Sequence, residues 1–413
     1  MLATLMPLFD EDMAVKAYSV FAQRENYFMD PFHGASGRLD NATRIEGFEI
    51  VESMGLETLS DDKEVFIPVG NASIYADIAS QSSEPHEKIV LLIDRNVKPE
   101  NDYVSRVKEL KDQGYKFAVR KIRPHEFGDY RDILNLMDYV LLDHRKVDMK
   151  KAQSNFRKIY PNLKICAVNV NTKEEFDALK EVGGFSFYEG DFFRMPVNTG
   201  DTEIAPLKAT YVELLKVVNN PDFDLTDAAD IIGTDTALVV SLLEMVNHWS
   251  RNSDITSVRH AAAMLGQKEL KKWINTAVTK ELCADKPSEI TRLSLIRAKF
   301  AENLAPAFEM APQSSELFLM GLFSVLDIIL DRPMEEALES VSVSKQISDA
   351  LLSDSGQFSE VLDFFKAYEV ASWQEVSRIM VLKDFSMDWI YRAYLESLQW
   401  YRDLITLPVG KKR

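Results

Sequence analysis

One change of pattern constrains this chain more than any other. Strand–helix alternation fills the first half and stops near residue 200, beyond which only helical periodicity remains. Short apolar runs recur at 65–67, 89–93, 117–119, 139–142, 165–168 and 185–188. Such runs, without polar alternation, suit parallel strands buried on both faces. Helical segments lie between them. Residues 101–113 carry Val104, Val107 and Leu110 on one face and stop at Gly114. Thr172-Lys173-Glu174-Glu175 has the form of a capping box, opening a helix that ends before Gly183-Gly184. Repetition of these units predicts an α/β barrel or an open doubly wound sheet.

After 198–202 the periodicity predicts helices at 207–218, 225–232, 236–246, 258–265, 269–282, 290–308, 316–330, 334–341, 344–352, 356–368, 373–380 and 388–404. Pro221, Pro287, Pro312 and Pro333 punctuate them. The fold class is therefore α/β followed by all-α, with domains expected at 1–199 and 200–413.

The 413 residues carry 65 acids and 48 bases, a formal charge of −17. That balance disfavours nucleic acid and anionic membranes as partners. Cys166 and Cys283 are far apart and form no disulfide framework, which fits a reducing, cytoplasmic compartment. Residues 1–9 are apolar but short and lack a basic leader, so no signal peptide is expected. No apolar run approaches about 20 residues, so no membrane insertion is expected. Lys411, Lys412 and Arg413 read as a solvated basic end, and Asp40-Asn41 as turn chemistry.

Landmarks at Gly114–Val119, Val170–Phe176 and Glu189–Pro196 together resemble, over 5–196, the EAL domain family of bacterial cyclic-di-GMP phosphodiesterases. Gly114-Tyr115-Lys116-Phe117-Ala118-Val119 resembles the family's glycine-led strand before its paired aspartates. The stretch from Val170 to Phe176 resembles its valine–glutamate–threonine region. The stretch Glu189-Gly190-Asp191-Phe192-Phe193-Arg194-Met195-Pro196 resembles its closing aromatic segment. The second half resembles an HDOD domain, through 225–247, 255–266 and Gly321-Leu322-Phe323. Together these imply an EAL-type (β/α) barrel followed by a helical HDOD domain, an architecture of bacterial signal transduction.

The resemblance implies divalent metals held by carboxylates at the C-terminal ends of barrel strands. Hard cations need several oxygen ligands. At the matching positions this chain has Ser19, Pro68, Leu92, Arg120, Lys121, Leu141, Val168, Asn171 and Glu189. Two anionic positions become the cations Arg120 and Lys121, so the barrel is expected to be degenerate and to hold no metal or other cofactor. Asp94 and Asp143 read as isolated. Arg120 and Lys121 remain the candidate anion contact, although strand alternation predicts that only one faces the barrel mouth. A local ion pair with Glu189 competes with that role.

Metal-dependent relatives of the HDOD fold need a His-Asp pair. None of His33, His86, His125, His144, His248 and His260 precedes an aspartate, and Ser324 and Val325 fill the usual histidine neighbourhood. The expectation is a chain that is not an enzyme: a scaffold for unidentified signalling proteins in cyclic-di-GMP-linked or motility regulation. Cyclic di-GMP binding is not expected on this reading. A metal-independent cyclic-di-GMP receptor is the alternative, and an active phosphodiesterase stands third. Aromatics at Trp373, Trp389, Tyr391, Tyr394, Trp400 and Tyr401 fit either helix packing or an interface.

Overall fold

The computed structural model describes residues 1–23, 44–194, 206–249 and 255–406, side chains at 206, 207, 248 and 249 excepted. His33, Asp40-Asn41, the 198–202 boundary, the 410–413 tail and the side chains of His248 and Trp249 lie outside the described residues. The chain separates into two compact units. One comprises Met1–Met195 with Lys366–Gln399, the other Pro196–Phe365 with Trp400–Arg413. The sequence assigns all of 200–413 to one helical domain, whereas by compactness Lys366–Gln399 groups with the first unit.

The first unit holds a closed barrel of eight strands. In order these are β1 (Leu2–Phe9), β2 (Val15–Gln23), α1 (Glu46–Ser60), β3 (Glu64–Pro68), β4 (Ile89–Asp94), α2 (Asn101–Asp112), β5 (Lys116–Arg120), α3 (Arg131–Leu134), β6 (Tyr139–Asp143), α4 (Met149–Ile159), β7 (Lys164–Val168), α5 (Lys173–Val182) and β8 (Phe187–Glu189). Strands β2 to β8 run parallel, and β1 runs antiparallel to both β2 and β8. The barrel alternative therefore holds over the open sheet. The predicted apolar runs became strands β3 to β8, but β1 was invisible as a strand. Its eight residues are almost all buried, so they show no alternation to distinguish them from an apolar end.

Alternate side chains fill the interior. Leu8, Ala17, Phe66, Val90, Leu92, Ala118, Tyr139, Leu141, Cys166 and Phe187 form one buried cluster. Its floor, at the N-terminal strand ends, is closed by a polar plug. The Tyr139 hydroxyl donates to Glu64 Oε2 at 2.6 Å, Lys164 Nζ donates to the same hydroxyl at 3.1 Å, and Lys116 pairs with Glu64. Burial and the Glu64 carboxylate together push the Tyr139 phenol well above its ordinary range. The opposite end is open. The capping box forms as expected: Thr172 Oγ1 accepts from Glu175 N, and Glu175 Oε2 accepts from Thr172 N, both at 3.2 Å. Gly183, at φ 70°, ends α5.

The helices of the second half are α6 (Pro206–Asn219), α7 (Leu225–Ile232), α8 (Thr236–Trp249), α9 (Val258–Leu282), α10 (Ser288–Leu304), α11 (Ser314–Phe323), α12 (Leu326–Leu330), α13 (Met334–Val341), α14 (Lys345–Ser353), α15 (Gln357–Glu369), α16 (Trp373–Lys383) and α17 (Met387–Thr406). Gly266, at φ 72°, breaks α9 where the sequence separates two helices. In the second unit, Asn219 and Asn275 exchange side-chain amide hydrogen bonds of 2.9 and 3.2 Å in a buried pair. Gly321 lets α11 press on α10: a Cβ there would lie 2.4 Å from Arg297 O.

Within the first unit, residues of the Lys366–Gln399 segment return to the barrel's first strands. Tyr368 is fully buried, and its hydroxyl accepts from Ala3 N at 3.3 Å. Gln23 Nε2 donates to Ser377 Oγ at 3.2 Å, and Arg194 Nη1 donates to Glu369 Oε2 at 3.4 Å.

Candidate functional site

Strand parity places the site. Alternate residues face the barrel interior, so a side chain two positions beyond a core residue lies one layer nearer the mouth. From Leu92, Ala118, Leu141 and Phe187 that step gives Asp94, Arg120, Asp143 and Glu189. Asp94 is in register with Arg120, and Val168 with Glu189. All four mouth residues line one cavity of about 690 Å³, together with Arg95, Lys121, Arg123, Lys146 and Asn169. That volume lies within the range of small-molecule sites. A continuation of about 700 Å³ is lined by Phe21, Pro68, Leu92, Arg95, Arg120, Lys121 and Trp373.

The expectation that only one of Arg120 and Lys121 faces the mouth is corrected. Both line the cavity. Strand β5 ends at Arg120, and Lys121 turns into the left-handed region at φ 62°. Alternation no longer applies to a residue that has left the strand. Asn169 does the same after β7, also at φ 62°. Non-glycine residues in this conformation are strained and cluster at functional sites.

The expected pairing of Arg120 or Lys121 with Glu189 also needs correction. Glu189 Oε2 is buried without a hydrogen-bond partner. Burial raises the Glu189 carboxyl above its ordinary value, opposed by the Arg120 charge. The Arg120 guanidinium stacks over Phe21, 5.0 Å from the ring centroid. Desolvation first, and the Arg120 charge second, lower the Lys121 ammonium. Asp143 is engaged differently. Burial disfavours its charge, but Lys146 Nζ at 2.7 Å and the Arg145 N–H at 3.1 Å outweigh that and hold it below the usual range.

The remaining positions divide. Leu92, Leu141 and Val168 are apolar walls, and Pro68 rims the continuation. Ser19 is buried in β2 with its hydroxyl unpartnered, and lines neither cavity. Asn171 lies exposed past β7, its N–H bonded to Glu175 Oε2 at 2.7 Å. Asp94 and Asp143 are not isolated, because the closed barrel brings them to one cavity with Glu189. Among the described residues, no three His, Cys, Asp or Glu side chains stand together as a metal cradle. Sequence reading missed Arg123 and Lys146, and it had Trp373 only as a packing or interface aromatic. Lys146 was within reach, three residues after an inward-facing Asp143.

In the second unit, the expected histidine neighbourhood holds Ser324, whose hydroxyl accepts from Arg297 Nη1 at 3.0 Å and donates to Gly321 O at 2.7 Å. Burial raises the nearby Asp327 carboxyl, with Arg297 opposing. His260 is exposed on the first turn of α9. Residues 204–355 match the family model described as the HDOD domain. This chain carries an HDOD domain. The HDOD match begins after the eight-stranded barrel, so a barrel precedes the HDOD domain in the expected order.

The relatives extend over both parts. The Vibrio cholerae protein named cyclic di-GMP phosphodiesterase CdgJ is 28% identical over 330 residues, covering 78% of this chain and 74% of that protein. Bacillus subtilis YuxH is 26% identical over 410 residues, 97% of each chain. The barrel region resembles solved EAL proteins. One is the standalone EAL protein of Vibrio cholerae O395 in its cyclic-di-GMP-bound form, at 17% identity and TM-score 0.34 over 46% of this chain and 89% of that one. The expectation of a non-enzyme is overturned by CdgJ, a relative named as a phosphodiesterase. That expectation took Asp94 and Asp143 as isolated, whereas the barrel brings both to one cavity with Glu189. The expectation against cyclic di-GMP binding likewise gains no support. Among the described residues, no helix is long and apolar enough to cross a membrane.

Proposed function

We propose that this chain acts in cyclic-di-GMP signalling and that its barrel mouth binds the nucleotide's phosphodiester. One observation carries the proposal: Arg120 and Lys121 both line a cavity that also takes Arg95, Arg123 and Lys146. In a chain of net charge −17, this concave site gathers five cations against the three carboxylates Asp94, Asp143 and Glu189. Phe21 holds the Arg120 guanidinium in place while leaving its N–H fork for a phosphate. An arriving anion offsets the repulsion between Arg120 and Lys121. The name of CdgJ supplies the ligand class. Relay of the bound state to a protein partner is the output we assign to the two-domain architecture.

The test is calorimetric titration of the full chain with cyclic di-GMP, in magnesium, in manganese and in chelator, with the same samples analysed for the linear dinucleotide. Micromolar binding is expected, strongest at low salt. Arg120→Ala removes a charge-assisted contact of about 1.5–3 kcal/mol, so affinity falls by roughly ten- to a hundredfold. Linear product would add hydrolysis to binding. Absence of binding, or an Arg120→Ala protein that binds as the parent does, overturns the proposal.

A further inference from the structure

The mouth is lined not only by the barrel. Trp373, from the segment that follows the HDOD domain in sequence, lines the same continuation as Arg95, Arg120 and Lys121. We propose that Trp373 is a stacking wall for a nucleobase, so that the site takes a purine nucleotide whose phosphate rests on Arg120 and Lys121. This rests on the phosphate-binding reading above and assigns the ligand's other half.

The indole's position is built and fixed. Ala371, at φ 51°, turns the chain after α15, and Trp373 opens α16 with its backbone N–H donating to Ala371 O at 2.8 Å. The ring packs perpendicular to Tyr368, with centroids 5.2 Å apart at 82°. Tyr368 is in turn locked by Ala3 N and by Tyr394, 5.0 Å away. Perpendicular packing with Tyr368 covers at most one face of the indole. Trp373 is only partly buried, on a cavity whose other walls include Pro68, Leu92, Asp94 and the cations. An indole beside guanidinium and ammonium groups has the chemistry of a nucleotide site, with a π-face for the base and charge for the phosphate. A purely structural tryptophan needs neither the cavity nor the cations.

The test uses the full chain with cyclic di-GMP and with ribose 5-phosphate as a base-free probe. Trp373→Leu is expected to weaken cyclic di-GMP on the order of ten- to a hundredfold while leaving ribose 5-phosphate unchanged. Trp373→Phe keeps a ring and should bind within a fewfold of the parent. In the parent, cyclic di-GMP should quench tryptophan fluorescence; in Trp373→Phe the quench should vanish while calorimetric binding persists. If the parent binds and Trp373→Leu binds equally well, the stacking role is overturned and the phosphate site stands. A quench that persists in Trp373→Phe overturns it too. If the parent binds no cyclic di-GMP, both fall together. Should Trp373→Leu fail to fold, the Phe variant and the parent's quench decide alone.

Discussion

Lys121 offers a way to test the mouth's geometry through stability as well as binding. Its φ of 62° places a β-carbon in the left-handed region, at a cost of about 1–2 kcal/mol to a non-glycine residue. Glycine relieves that strain but loses about 0.4–1 kcal/mol through the greater freedom of its unfolded chain. Lys121→Gly should therefore be more stable than Lys121→Ala by roughly 0.5–1 kcal/mol, or about 1–4 °C for a unit of this size. The alanine variant is the right reference because both substitutions remove the same ammonium and its repulsion with Arg120. Both should weaken cyclic di-GMP equally, by about five- to tenfold. The assay is urea unfolding of parent, Ala and Gly proteins, read as midpoints at constant m-value, with calorimetric titration alongside. A Gly protein no more stable than the Ala protein would refute the reasoning. The backbone would then continue as a strand, alternation would turn Lys121 away, and the mouth would lose one of its cations.

Two further outcomes follow from the packing. Gly321→Ala pits a helix-propensity gain of about 1 kcal/mol against a Cβ only 2.4 Å from Arg297 O and 2.7 Å from Ala298 Cα. Backbone atoms cannot rotate aside, so the clash wins, and thermal unfolding should show net destabilisation of about 1–3 kcal/mol; an unchanged midpoint would contradict this. Glu189 gives a pH dependence. Its folded carboxyl is raised above the ordinary 4.5 by burial, so the native state holds the proton more tightly than the unfolded chain. Stability is thus complete below about pH 4.5 and declines as pH rises toward the folded value. Glu189→Gln mimics the protonated acid, so its stability relative to the parent should grow across that window; a difference independent of pH would argue against a buried carboxyl.

Much of the fold was legible because periodicity records local burial. The second-half helices appear close to where the pattern puts them, including the break at Gly266, since helices such as α7 and α13 bury one stripe that repeats every three to four residues, although α11 is buried throughout Leu317–Phe323. The Thr172–Glu175 cap is a contact across three residues and could be read directly. Strand β1 could not. A strand buried on both faces has no period, and its direction is set by β2 and β8, a relation no single window contains. The return of Tyr368 to Ala3 spans 365 residues and leaves no local trace.

The candidate site failed to be legible for a different reason. Comparing residue types at matched positions asks which ligands are lost. Closure of the barrel decides which charges meet, including ones at positions not compared. Asp94 and Asp143 looked isolated in sequence, 49 residues apart, yet β4 and β6 flank β5 and deliver both carboxylates to one cavity with Arg120. Asp143 is already neutralised locally by Lys146, whereas Glu189 is opposed only at longer range by Arg120. The cations at 95, 120, 121 and 123 outnumber the remaining carboxylates Asp94 and Glu189 at the mouth, within a chain that is acidic as a whole. Charge of that sign in a concave site steers anions inward and focuses the field between low-dielectric walls. On the proposed reading, the phosphodiester of the ligand is the counter-ion that such a site selects.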